Sequence, residues 1–140
     1  MITFTVPGVP KAKGRARSFF KRGGGIGHKT PPETAAYERL VAGAALQAMA
    51  RTKTIAAGVQ VNLTLNVYMP VPKSWSKAKQ LAAVEGDIRP TGRPDLDNII
   101  KAIADGCNQI VWADDAQIVS ISASKYYGVP RVVVMVTAIA

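Results

Sequence analysis

Five aspartates in the second half of a 140-residue chain are the residues whose type and spacing can do chemistry. Asp95 and Asp97 flank Leu96 directly after Arg93-Pro94, Asp105 follows, and Asp114-Asp115 closes the group. Crowded carboxylates repel one another, and a cation that neutralises them relieves the crowding. Mg²⁺ takes oxygen ligands and keeps several of its waters, so two or three aspartates suffice without histidine or cysteine. Held against a phosphodiester, such a metal polarises the phosphoryl oxygen and generates or orients an attacking hydroxide. Lys101, one helical turn beyond Asp97, can neutralise charge developing on the phosphate or help position the water.

The same residues have a plainer reading. Aspartate is favoured at helix N-termini by capping and by the helix dipole. Asp97 and Lys101 have the spacing of an ordinary surface ion pair, and Asp114-Asp115 reads equally as a turn. Other chemistries fail on the inventory. With His28 and Cys107 the sole residues of their kinds, a Cys/His zinc site has too few ligands. His28 lies in a glycine-rich stretch, where a Ser-His-Asp or Cys-His arrangement lacks a rigid base. Gly27-His28-Lys29-Thr30 interrupts the Gly-Lys-Ser/Thr of a phosphate loop, so no nucleotide cofactor is expected and residues 23–30 read as a flexible loop.

The carboxylates need elements to hold them. Leu96, Ile99, Ile100, Ile103 and Cys107 recur at helical spacing, which makes one buried face and places Cys107 in the core. Asp97, Lys101 and Asp105 then share the opposite stripe. Asp95, just before the helix, can turn its carboxylate toward the same point as Asp97. An earlier helix is expected from Thr30, as cap with Pro31 at the first position and Glu33 completing a capping box, to about Met49. Its stripe is Tyr37, Leu40, Val41, Ala44 and Ala48. A short helix capped by Ser74 runs to about Val84. Alternation predicts strands at Ile2–Val6, Val59–Met69, Ile118–Tyr127 and Arg131–Ile139, with Gly128-Val129-Pro130 suggesting a hairpin between the last two. The class is α+β, as a single domain over residues 1–140.

Charge supplies the ligand class. The net charge is +9, and residues 1–53 hold ten Lys/Arg against two acids while the remainder is nearly balanced. Segregated positive charge favours a nucleic-acid partner, because phosphate contacts dominate such affinity. Lys11, Lys13, Arg15 and Arg17 fall at every second position and, in an extended backbone, would line one side at intervals of about 7 Å. Lys21, Arg22 and Lys29 continue the basic surface, and the loop over residues 85–93 delivers Arg93 to the acidic stretch. No apolar run approaches the roughly 20 residues that span a bilayer, and the N-terminus lacks a signal-peptide pattern, so a cytoplasmic protein is expected.

At Pro94-Asp95-Leu96-Asp97-Asn98, Lys101, Asp105 and Asp114-Asp115-Ala116-Gln117-Ile118-Val119 the chain resembles the RusA family of Holliday-junction resolvases, small endonucleases common in phages and prophages. Softer similarity lies in Pro10-Lys11-Ala12-Lys13-Gly14-Arg15, Thr30-Pro31 before Tyr37-Glu38, and Pro72-Lys73-Ser74-Trp75-Ser76. The resemblance implies a homodimeric, Mg²⁺-dependent endonuclease acting on four-way DNA junctions in recombination and repair. It implies Asp95, Asp97 and Asp115 as metal ligands, with Lys101 catalytic. The rival expectations are a non-catalytic DNA-binding module, its aspartates serving as caps, and a metal-dependent ribonuclease.

Overall fold

In the computed structural model, which describes residues 1–139, β-strand β4 (Gln60–Met69) sits at the centre of the molecule. Val61, Leu63, Leu65 and Val67 are fully buried, while the intervening Asn62, Thr64 and Asn66 are half-buried on the other face. That strict alternation is what a strand with one face on a core requires. The four-stranded sheet runs β1 (Ile2–Pro7), β6 (Arg131–Ile139), β4, β5 (Ile118–Tyr127). β6 is antiparallel to both β1 and β4, and β5 is parallel to β4.

Helices α1 (Pro32–Ala48) and α3 (Leu96–Cys107) cover the buried face. Tyr37, Val41 and Ala45 of α1, one turn apart each, meet Ile99, Ile103 and Cys107 of α3 and the inward residues of the sheet. Each fully buried valine, leucine or isoleucine here contributes roughly 1.5–3 kcal/mol of transfer free energy. The two helices approach closely at Gly106, where a Cβ would stand 2.6 Å from the Val41 side chain. Helix α2 (Lys77–Val84) precedes α3, and both lie in the long crossover from β4 to the parallel β5. Strands β2 (Arg17–Phe20) and β3 (Ile26–Lys29) form a separate two-stranded hairpin. The architecture is α+β, three helices on a mixed sheet.

The expected boundaries of the later strands and of α3 agree with the structure, but several local expectations do not. First, β5 and β6 are not paired: β4 lies between them. Residues 128–130 step over the end of β4, where the Gly128 N–H donates to the Met69 carbonyl at 2.9 Å and a Cβ on Gly128 would meet the Tyr68 ring at 3.2 Å. Two strand spacings are only about 10 Å, which three residues can span, so a hairpin-length link does not demand a hairpin. β5 is thereby an edge strand, irregular in register at Val119, and Val119 and Ile121 are exposed.

Second, the N-cap of α1 is Pro31, not Thr30, and no side chain caps it. Pro32 has no N–H, which removes one of the donors a cap would serve. Third, Ser76, not Ser74, caps α2, its hydroxyl accepting from Lys79 N–H at 3.2 Å. Leu40 also lies outside the buried stripe of α1, being 42% exposed.

Candidate nucleic-acid and metal site

Asp95 is the N-cap residue of α3, with extended backbone (φ −67°, ψ 141°), yet its side chain makes no capping hydrogen bond. Asp97 occupies the first turn, exposed, and Lys101 follows one turn on, also exposed. The Asp97–Lys101 ion pair that the spacing permits is not formed: among the described residues, both close ion pairs belong to Lys13. Side-chain capping and the surface pair therefore do not describe these acids, and the helix-dipole reading, which does, leaves both carboxylates unengaged.

The loop leading to Asp95 is held from the sheet. Lys125 of β5 donates from Nζ to the Gly92 carbonyl at 2.8 Å and to the Pro94 carbonyl at 2.9 Å. Arg89 donates to the Lys125 carbonyl at 2.9 Å and stacks its guanidinium 4.4 Å from the Tyr126 ring. The Arg93–Pro94 peptide is cis. Lys125 is a residue that the sequence reading missed. Its signal was present, because it continues the Val119, Ile121, Ala123 side of β5 and so places a charge where an apolar residue belongs.

Beside Asp95 opens a cleft of about 1280 Å³ whose walls include Lys11, Arg15, Arg17, Arg93, Asp95 and Asn98. The basic segment forming one wall is docked on both helices: Lys13 N–H donates to the Asn98 carbonyl of α3 at 3.0 Å, and Gly14 N–H to the Thr34 hydroxyl of α1 at 2.8 Å. Position 14 has no room for a side chain, since a Cβ would lie 2.9 Å from that hydroxyl. Lys11, Arg15, Arg17 and Arg93 are exposed and border the cleft with Asp95, so cations and carboxylate share one concavity. Cations along such a wall can follow a phosphate backbone.

Lys13 departs from the expected alignment of four cations. Its ammonium reaches Glu38 of α1 at 2.8 Å and Asp105 of α3 at 2.5 Å. The extended segment lies against the helices, and two carboxylates there outcompete solvent for the one cation within reach. The hydrogen bonds to Asp105 and then Glu38 hold the Lys13 pKa above its usual range.

Asp115 belongs to this same end of α3. Its Oδ1 accepts from the Trp112 indole at 2.7 Å, and Trp112 bridges to Asn108 just past the helix. Partial burial pushes the Asp115 carboxyl up, opposed by the Trp112 hydrogen bond, with Asp105 and Asp114 adding repulsion. Asp114 is structural: it caps the 3-10 turn Asp115–Gln117, its carboxylate accepting from Ala116 N–H at 3.1 Å while its own N–H donates to Gln117 Oε1 at 2.8 Å. Asp97 and Asp105 are eight residues apart on α3, about 12 Å along its axis. The chain thus brings Asp95 to the cleft with its cations, and Asp115 to Asp105 and Lys13. Among the described residues no three Asp, Glu, His or Cys side chains are grouped so as to hold a metal ion.

The remaining candidates are quickly placed. Lys21, Arg22 and Lys29 are exposed on the β2–β3 hairpin. His28 faces Ser18 across that hairpin at 3.3 Å, so residues 26–29 form strand β3 and not part of the flexible loop expected over residues 23–30. Cys107 is fully buried, and burial first, then Asp115, pushes its thiol up to about 12, which suits a core residue and not a nucleophile.

The pattern defining the family described as "Endodeoxyribonuclease RusA" matches residues 7–137, nearly the whole chain, and the chain belongs to that family. Membership implies an endodeoxyribonuclease of the Holliday-junction-resolving kind. The chain is also 40% identical over 138 residues to "Uncharacterized protein YqaN" of Bacillus subtilis (strain 168), covering 96% of this chain and 94% of that one. No helix is long and apolar enough to cross a membrane among the described residues.

Proposed function

We propose that this protein is a Mg²⁺-dependent, homodimeric endonuclease that cuts Holliday junctions and related branched DNA in recombination and repair, in the cytoplasm of a bacterial host and of phage or prophage origin. The observation that carries the reading is the state of Asp95 and Asp97. Both stand exposed at the start of α3, neither caps the helix nor pairs with a lysine, and Asp95 borders a cleft walled by cations. The positive end of the helix dipole steadies both charges, while neither side chain is engaged by the fold, which leaves both free to take a ligand.

The donor chemistry fits Mg²⁺, which is commonly bound by one or two carboxylates with waters and substrate phosphates completing the shell. Asp95 and Asp97 are the proposed ligands. The carboxylate of Asp115 is proposed as a third requirement for cleavage, although within one chain it lies toward the far end of α3. When bound, the metal supplies polarisation of the phosphoryl oxygen and acidification of a water. Lys11, Arg15, Arg17 and Arg93 bind the phosphates on either side, with Lys21, Arg22 and Lys29 extending the contact. Lys101 stands one turn from Asp97, where its ammonium offsets charge gained by the phosphate as the bond to oxygen breaks. Lys13 holds the basic wall to α1 and α3 through Glu38 and Asp105. A twofold dimer would present two such sites to the two strands that must be cut in a four-way junction.

A binding module without catalysis remains the rival reading, and a ribonuclease a third. A denaturing gel of labelled four-way junction, linear duplex, flap, single-stranded DNA and RNA, each with and without Mg²⁺, separates them. The proposal expects scission of the junction with Mg²⁺ alone. Binding without scission at any metal concentration overturns it.

A further inference from the structure

The β2–β3 hairpin has two faces with different duties. Phe19 lies opposite Gly27, and its ring covers that glycine so closely that a Cβ there would be 2.5 Å from it. This is a structural contact, an aromatic ring filling the space above a strand glycine. Phe20, on the other face, pairs with Ile26 and has no such duty: it is 89% exposed and Ile26 is 60% exposed. Lys21 and Arg22 follow directly, before a tight turn in which Lys21 N–H donates to the Gly25 carbonyl at 3.0 Å. Gly23, Gly24 and Gly25 all have positive φ, which lets the tip stay narrow. The result is a slender projection ending in a bare aromatic ring beside two cations, rooted at Arg17, which borders the cleft next to Asp95.

A fully exposed phenylalanine does nothing for folding, and apolar surface next to cations fits a partner that offers a flat π-face beside phosphates. Bases inside a linear duplex are stacked on their neighbours and hide their faces. At a branch point the stack is broken and a base face becomes reachable. We propose that Phe20 is a specificity residue that stacks on an unstacked base at the branch of the DNA, with Lys21 and Arg22 on the adjoining phosphates. The inference rests on the DNA-cutting reading for its partner, and it assigns to the hairpin the choice of branched over linear DNA. The rival occupants of such a tip are an anionic membrane and a second copy of the chain. The continuity of the hairpin with the cationic wall of the cleft favours DNA over both.

The test uses the full chain as parent, Phe20→Ala and Phe20→Tyr, in metal-free buffer so that binding is read without cleavage. Affinities are measured for a four-way junction and for linear duplex of the same sequence, with 2-aminopurine at the branch reporting stacking. The inference expects Phe20→Ala to lose about tenfold in junction affinity, the scale of one base–aromatic stack, while duplex affinity stays within about twofold. It expects Phe20→Tyr to retain junction affinity and the fluorescence change, and all three proteins to melt alike. Equal loss on junction and duplex, or no loss on either, overturns it. So does a change of sedimenting mass in Phe20→Ala, or Phe20-dependent binding to phosphatidylserine vesicles in place of DNA. A parent that shows Phe20-dependent junction preference but never cuts on adding Mg²⁺ refutes the nuclease reading and upholds this one. A parent that cuts junctions while Phe20→Ala binds them unchanged does the reverse.

Discussion

Helix α3 carries aspartates at both ends, and the ends are in opposite states. Toward its C-terminus, Asp105 joins Glu38 of α1 in holding the Lys13 ammonium. At its N-terminus, Asp95 accepts no capping bond and Asp97 has no close ion pair, although a lysine stands one turn away. One end is committed to holding the molecule together, and the other is left free beside a cationic cleft. The same residue type on the same helix is thus told apart by its partners, which is information that spacing alone does not contain.

The largest effect that tests this contrast is on cleavage. The double variant Asp95→Asn/Asp97→Asn is expected to lose on the order of 10³-fold or more in junction cleavage, since charge stabilisation of several kcal/mol is removed at about 1.4 kcal/mol per tenfold. Its thermal midpoint should stay close to that of the parent, because no hydrogen bond or ion pair is lost and the removed repulsion offsets the weakened helix-dipole interaction. A clear fall in midpoint would show that these acids are structural after all.

At the committed end, Gly106→Ala should destabilise by about 2 kcal/mol, read from denaturant unfolding, because its Cβ must displace Val41 and press on the Glu38 carbonyl at 3.1 Å. The strain would also part α1 from α3, the two helices that Lys13 bridges. Lys13→Met is expected to cost about 1 kcal/mol at neutral pH, the scale of partly exposed ion pairs. The sign of its pH dependence follows from the raised Lys13 pKa. The folded protein holds that proton more tightly than the unfolded chain, so the stabilisation is complete below the ordinary value of 10.5 and is lost as pH rises through the higher folded value. The stability gap between parent and Lys13→Met should therefore close above pH 10.5, and a gap constant with pH would contradict the assignment. Asp114→Ala removes the cap of the 3-10 turn and should cost about 0.5–1 kcal/mol, with cleavage within about twofold of parent.

Much of this was legible in the sequence, for physical reasons. The alternation in β4 and the helical stripe of α3 are direct images of burial on one face, and they locate both elements. The charge of the first third and the Asp95-Leu96-Asp97 pair locate the cleft. What was hidden is whatever depends on distant partners. The link between β5 and β6 reads as a hairpin because a local turn does not reveal that β4 slips between them. Lys13 reads as one of four like cations, because only the fold brings Glu38 and Asp105 to it. Asp114 and Asp115 are neighbours in sequence, yet the turn commits the first to capping and directs the second to Trp112.

The central claim, that the two ends of α3 divide chemistry from structure, is tested most directly by Mg²⁺-dependent cleavage of a labelled four-way junction by Asp97→Asn and Asp105→Asn, read on one denaturing gel. The account predicts that Asp97→Asn binds the junction and leaves it intact, while Asp105→Asn cuts within about threefold of the parent rate. Cleavage at the parent rate by Asp97→Asn, with or without loss in Asp105→Asn, would contradict it.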